Sequence, residues 1–138
     1  AAVIPKWFDT LFTGQTVFNN GDGETSREFC HVENAVRANL LAALTSRPGA
    51  TGRAYNVACA ERTTLNELYV MLRELVASRK PEAASAEPTH RAERAGDVRH
   101  SLADISAARN LLGYEPAVLV KEGLAMAAEF YFELCSKA

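Results

Sequence analysis

The chain has 138 residues, 48% hydrophobic and 23% charged, with a formal net charge of -2. That is one domain's worth of sequence, able to bury roughly 70% of the surface its unfolded form exposes, and its charge balance excludes a general nucleic-acid binder. No apolar run reaches the length of a membrane span, and no basic region followed by an apolar stretch opens the chain as a signal peptide would.

In chain order, Pro5 to Phe12 predicts a short helix. Pro5 suits a first turn, Ile4, Trp7, Phe8 and Leu11 share a face, and Gly14 is the stop. Thr16 to Asn19 predicts a strand running into the Gly-rich turn Asn20-Gly21-Asp22-Gly23, and Arg27 to Val32 a second extended piece. Asn34 to Thr45 predicts a helix with Val36, Leu40, Ala43 and Leu44 on one side, ended by Pro48-Gly49. Arg53 to Ala58 is expected as a buried strand. Thr64-Leu65-Asn66-Glu67 has the capping-box pattern, in which the hydroxyl and the carboxylate each satisfy a free amide, and it starts a helix striped by Leu65, Leu68, Leu72, Leu75 and Val76.

Between Lys80 and Asp97 apolar side chains larger than Ala vanish, and a long surface loop is expected, of the kind that serves as a lid or binding loop. Asp104 is expected to cap a helix to Leu112, stopped by Gly113, and a last helix to run from Val120 to Cys135 with Leu124, Ala127, Ala128, Tyr131 and Cys135 inward. The fold class is α/β, a small mixed sheet with helices. So small a sheet predicts that some apolar surface faces another domain.

The first residues, without an initiator Met, fit trimming, a fragment or processing alike. Cys30, Cys59 and Cys135 are odd in number and lack metal-ligand spacing, so reduced, buried or half-buried thiols are expected, and with them a cytoplasmic location. No catalytic residue and no metal site is predicted. His31, His90 and His100 read as structural or solvated.

Two segments carry chemistry. In Val17-Phe18-Asn19-Asn20-Gly21-Asp22-Gly23-Glu24-Thr25-Ser26-Arg27, a strand edge can pair with a planar base, and the Arg that follows can bind phosphate bidentately. In Arg94-Ala95-Gly96-Asp97, a cation and a carboxylate three residues apart can hold a diphosphate and a ribose hydroxyl. Taken singly, each also reads as an ordinary charged turn.

Together with Tyr55-Asn56-Val57-Ala58, Arg62-Thr63-Thr64-Leu65-Asn66-Glu67-Leu68 and Gly96-Asp97-Val98-Arg99-His100-Ser101, these segments resemble the extended short-chain dehydrogenase/reductase family of NAD-dependent epimerases and dehydratases, along essentially the whole chain. They are most similar to its UDP-N-acetylglucosamine 4-epimerase branch. The resemblance implies that residues 1–138 are the C-terminal UDP-sugar-binding domain of such an enzyme. It implies that Phe18 and Asn20 hold the uracil, that Arg27 and Arg94 grip the diphosphate, that Asp97 meets the ribose, and that Ala2, Val3 and Lys6 line the uridine end. Asn56 and Arg62 are further possible ligands.

The chain departs from that pattern at Glu28 (Asp is usual), His31 (Tyr), Glu33 (Asp), Asn19 (apolar), Ala60 (Gly) and Leu102 (polar). Asn19 and Ala60 put the nucleotide-facing strand and the turn after Val57 in question. The family's chemistry runs through a bound NAD, held by a GxxGxxG turn, and a YxxxK pair. Neither motif occurs among these residues, so the NAD-binding Rossmann domain is absent from this sequence. No cofactor is expected on this chain, and it is not expected to epimerise alone. The partners expected are a UDP-sugar and either the Rossmann half or a second copy at an apolar docking surface, with no nucleic acid and no membrane. The rival readings are the same fragment of a dehydratase or decarboxylase, and a free-standing interaction module.

Overall fold

The structure, a computed structural model, describes residues 2–137. Among the described residues five α-helices are formed: α1 (Val3–Phe12), α2 (Val32–Leu44), α3 (Leu65–Ala77), α4 (Ser106–Leu112) and α5 (Val120–Ser136). The strands are short: β1 (Phe18–Asn20), β2 (Ser26–Arg27), β3 (Thr63–Thr64) and β4 (Thr89–Arg91). They make two two-stranded sheets, β1 with β4 and β2 with β3. The chain divides into two compact units. One holds residues 1–26, 64–100 and 124–138, and the other residues 27–63 and 101–123.

In the first unit, α1 buries Trp7, Phe8 and Leu11 on the face that the 3.6-residue period predicts. Trp7 meets Tyr69 of α3 edge-on at 6.1 Å, and Phe8 meets Phe132 of α5 at 5.0 Å. The α3 capping box forms as its sequence predicts. Thr64 Oγ1 accepts from Glu67 N at 3.1 Å, and Glu67 Oε2 accepts from Thr64 N at 2.8 Å. Leu68, Leu72 and Val76 are then fully buried.

The stretch from Lys80 to Asp97 is not the unstructured loop expected. A 3-10 turn at Pro81–Ser85 buries Ala83, and β4 follows it. β4 lies parallel to β1, with Phe18 opposite Thr89 and Asn20 opposite Arg91. All three β4 residues are exposed, so the strand shows no alternation in sequence.

In the second unit the core is small and alanine-rich: Ala38, Ala50, Ala58, Ile105, Ala108 and Leu112 pack with the fully buried Tyr114. The Tyr114 hydroxyl donates to Ala58 O at 2.9 Å. The expected strand at Arg53 to Ala58 forms no ladder, because no partner strand lies along it among the described residues. The α2 stripe also faces the other way from a core stripe. Val36, Leu40 and Leu44 are exposed, and the buried residues of α2 are Asn34 and Ala38. Asp104 acts one residue away from the capping position, its carboxylate accepting from Ser106 N at 2.8 Å. Hydrogen bonding from the Ser106 side chain, and then from its backbone N–H, holds the Asp104 carboxyl below the usual range.

Two of the departures noted in the sequence meet here. The Glu28 carboxylate accepts from Ala60 N and, at 2.8 Å, from Ala103 N, joining two loops of the unit. Ala60 sits at φ 56, the one non-glycine residue with positive φ among the described residues. A left-handed Ala costs roughly 1–2 kcal/mol, more than the extra chain entropy a Gly loses there. Ala60→Gly is therefore expected to raise stability by about 0.5–1 kcal/mol, read as a higher urea midpoint with unchanged slope.

The cysteines differ from expectation at one position. Cys59 is buried and Cys135 half-buried, but Cys30 is exposed. Burial pushes the Cys59 thiol up to about 11, so it stays protonated at neutral pH and is a poor nucleophile.

Candidate functional site

The sharpest concentration of function-type residues lies in the first unit, around β1. Phe18 and Asn20 are exposed while Asn19 between them is fully buried, the period-two alternation of a strand. Thr89 N donates to Val17 O at 2.9 Å and Gly21 N donates to Arg91 O at 2.8 Å. In a parallel ladder alternate residues bond the same neighbour, so Val17, Asn19 and Gly21 turn their backbone groups toward β4. The N–H and C=O of Phe18 and Asn20 point to the opposite edge, which no second strand covers among the described residues.

Beside this strand opens a cavity of about 430 Å³. Lys6, Trp7 and Thr10 of α1 form one wall, and Thr16, Phe18 and Asn20 another. Arg91, Ala92 and Arg94 close the third side. Three cations therefore line this space and no carboxylate does. A smaller hollow of about 60 Å³ adjoins at Asn20 and Arg94 and reaches Asp97. Asn20 and Arg94 belong to both.

The turn geometry follows from its glycines. Gly23, at φ 79, is buried with Asn66 packed where a Cβ would stand. Asn66 in turn donates to Asp22 O at 3.1 Å and Glu24 Oε1 at 2.7 Å, and its own N–H donates to Gly23 O at 3.0 Å. Asn19 points inward to this residue, donating to Asn66 Oδ1 at 3.4 Å, so the unusual Asn supports the turn and does not face the cavity. Arg99 is neutralised locally by Asp22 at 2.6 Å and Glu93 at 3.2 Å, and its guanidinium holds the Asp22 carboxyl below the usual range. Arg91 and Arg94 make no ion pair of this kind among the described residues.

Of the residues predicted from sequence, Lys6, Phe18, Asn20, Arg94 and Asp97 thus come together around the two adjoining hollows. Ala2 and Val3 stand at the start of α1, a turn before Lys6, and line neither. Arg27, half-buried in β2, and the exposed Asn56 and Arg62 belong to the second unit. Asn56 is engaged there, donating to Asp104 O at 3.1 Å. Trp7, Thr10, Thr16 and Arg91 were not singled out as ligands. Trp7 reads as core from its helical spacing, and the others gave no sequence signal.

Around Gly23, Asp22 and Glu24 add negative charge and Asn66 fills the face that an approaching phosphate would need.

Comparison with known proteins gives a consistent picture. The family model described as GDP-mannose 4,6 dehydratase matches residues 3–127. The UDP-glucose 4-epimerase of Mycolicibacterium smegmatis is 31% identical over 131 residues, which is 95% of this chain and 39% of that protein. The structure of the Thermotoga maritima UDP-glucose 4-epimerase with UDP-glucose superposes with a TM-score of 0.82 at 32% identity, covering 97% of this chain and 40% of the other. The Methanobrevibacter ruminantium UDP-N-acetylglucosamine 4-epimerase, solved with UDP-N-acetylmuramic acid, gives 0.77 at 29% identity, covering 100% and 40%. The chain thus spans about two fifths of the length of these relatives. It belongs to the family of that model, within the extended short-chain dehydrogenases/reductases that act as NAD-dependent epimerases and dehydratases.

Proposed function

We propose that this chain is the part of an NAD-dependent UDP-sugar 4-epimerase that holds the UDP moiety. The observation that supports the reading is the cavity beside β1, where, among the described residues, three cations meet a strand edge that no second strand covers and no carboxylate lines the space. A uracil has one donor flanked by carbonyl acceptors on its edge, which matches the outward N–H and C=O groups of Phe18 and Asn20. Arg94 then takes the diphosphate, with Arg27 as a further diphosphate ligand, and Lys6 lines the uridine end. Asp97, beside Arg94, is the acceptor for a ribose hydroxyl. Ala2 and Val3 complete the uridine end, and Asn56 and Arg62 are further contacts.

Hydride transfer in this reading belongs to NAD bound by the remaining part of the enzyme. The exposed stripe Val32, Val36, Leu40 and Leu44 on α2 is the surface that meets that part. The matched relatives are about two and a half times as long as this chain, which leaves room for such a domain. A dehydratase is the second reading, favoured by the description of the family model. Both use the same nucleotide grip and differ in chemistry at the sugar.

Titration calorimetry of the 138-residue chain with UDP at low salt tests the proposal. Arg94→Ala is expected to weaken UDP binding by roughly 10- to 100-fold, the worth of a charge-assisted hydrogen bond to phosphate. No binding by the wild-type chain, or equal binding by Arg94→Ala, would sink it.

A further inference from the structure

We propose that Arg91 positions the nucleobase in this cavity, by offering the flat face of its guanidinium as the surface on which the pyrimidine stacks. This rests on the UDP-holding reading above and adds to it a residue and a role.

The register puts Arg91 opposite Asn20, yet its side chain turns back along the ladder to lie over Phe18, with Cζ 3.2 Å from the ring centroid. That is the spacing of two planar groups in stacking contact. The stack stands on the exposed face of the sheet, inside the lining of the cavity and on the same side as Lys6 and Arg94. A guanidinium stacked on a ring keeps its five N–H donors in its own plane, pointing outward, and keeps its second face open.

A surface cation normally meets a nearby carboxylate, and Arg99 in the same unit meets two. Arg91 meets an aromatic ring, which fixes its plane at modest energetic gain without neutralising its charge. Phe18, Arg91 and a base then form three layers, next to the outward backbone edge of Phe18 and Asn20. Arginine planes are a recurrent stacking partner of unpaired bases, and a single stack is worth on the order of tenfold or more in affinity.

The distinction from a simple phosphate ligand lies in Arg91→Lys, which keeps the charge and loses the plane. With the 138-residue chain, affinities for UDP and for inorganic pyrophosphate are measured in wild type, Arg91→Lys and Phe18→Leu. Quenching of Trp7, the chain's single tryptophan and a lining residue of the cavity, gives an optical readout beside calorimetry. The expected result is about a tenfold loss for UDP in both variants with pyrophosphate affinity unchanged. Equal UDP affinity in Arg91→Lys overturns the role of Arg91 and leaves the UDP reading standing. A parallel loss for UDP and pyrophosphate also overturns it, since Arg91 would then act as a charge. Absence of UDP binding by the wild type removes the underlying reading and this inference with it.

Discussion

Asn34→Ala is expected to lower the stability of the unit containing α2 by about 3 kcal/mol, measured by urea unfolding and by loss of amide protection at Ala117 and Val118. Asn34 is a fully buried polar side chain with every hydrogen-bonding group in use. Its Oδ1 accepts from Ala117 N at 2.8 Å and from Val118 N at 3.1 Å. Its Nδ2 donates to Val118 O at 2.7 Å and approaches Cys59 Sγ at 3.4 Å. Truncation removes one partner from two buried backbone groups, the N–H and C=O of Val118, and from the N–H of the exposed Ala117, and an unmade buried hydrogen bond costs about 1–3 kcal/mol. The small alanine-rich core around Ala38 and Ala108 has little apolar burial to offset that loss.

Asn34→Asp serves as the companion variant. Its carboxylate would still accept from the two amides but would face Val118 O with no donor. Burial raises such a carboxyl in the folded state, so the variant should gain stability as pH falls through the raised value toward the unfolded carboxylate range. If Asn34→Ala unfolds within 1 kcal/mol of wild type, the hydrogen bonds described above do not hold that unit together.

The second large effect is expected at Gly23. A Cβ there would stand 1.9 Å from Asn66 Oδ1 and 2.7 Å from Asn19 Nδ2, at a φ of 79 that L-residues rarely adopt. Asn66 cannot simply swing away, because it ties Asp22, Gly23 and Glu24 together. Gly23→Ala is expected to cost about 3 kcal/mol or more, combining left-handed strain with overpacking. Gly14→Ala is the control: φ is similar at 69, but nothing lies within 4 Å, so only the strain of about 1–2 kcal/mol remains. Equal destabilisation by the two variants in urea would show that the contact with Asn66 carries no weight.

These two positions also show what the sequence could and could not reveal. The capping box at Thr64 to Glu67 was readable because both partners lie within one helical turn. The α1 face was readable because Trp7, Phe8 and Leu11 recur at the helical period. Phe18 and Asn20 share the exposed face of β1, as the period of two along a strand requires.

What failed has a common cause in partners far away along the chain. The α2 stripe of Val36, Leu40 and Leu44 looks like a core face, whereas the buried face carries Asn34, whose partners lie at Ala117 and Val118. β4 is Thr-His-Arg, with no apolar side chain to announce a strand, and only its pairing with β1 defines it. Asn19 seemed to threaten the nucleotide side, but a period of two places it on the inner face with Asn66. Arg91 lies in the segment expected as a loop, and only the pairing of β4 with β1 brings it over Phe18.

The parallel pairing of β1 with β4 also bears on the order in which the molecule assembles. Phe18 and Thr89 are about seventy residues apart in sequence, so closing that pair removes far more chain freedom than forming the locally capped helix between them. Helix α3 can form early from contacts within a few residues, whereas the cavity has no walls until the segment carrying Arg91 and Arg94 returns to the first strand. The cavity is thus expected to close late in folding, across a long-range pairing, and a ligand that bridges both strands would act as a clasp on the last step.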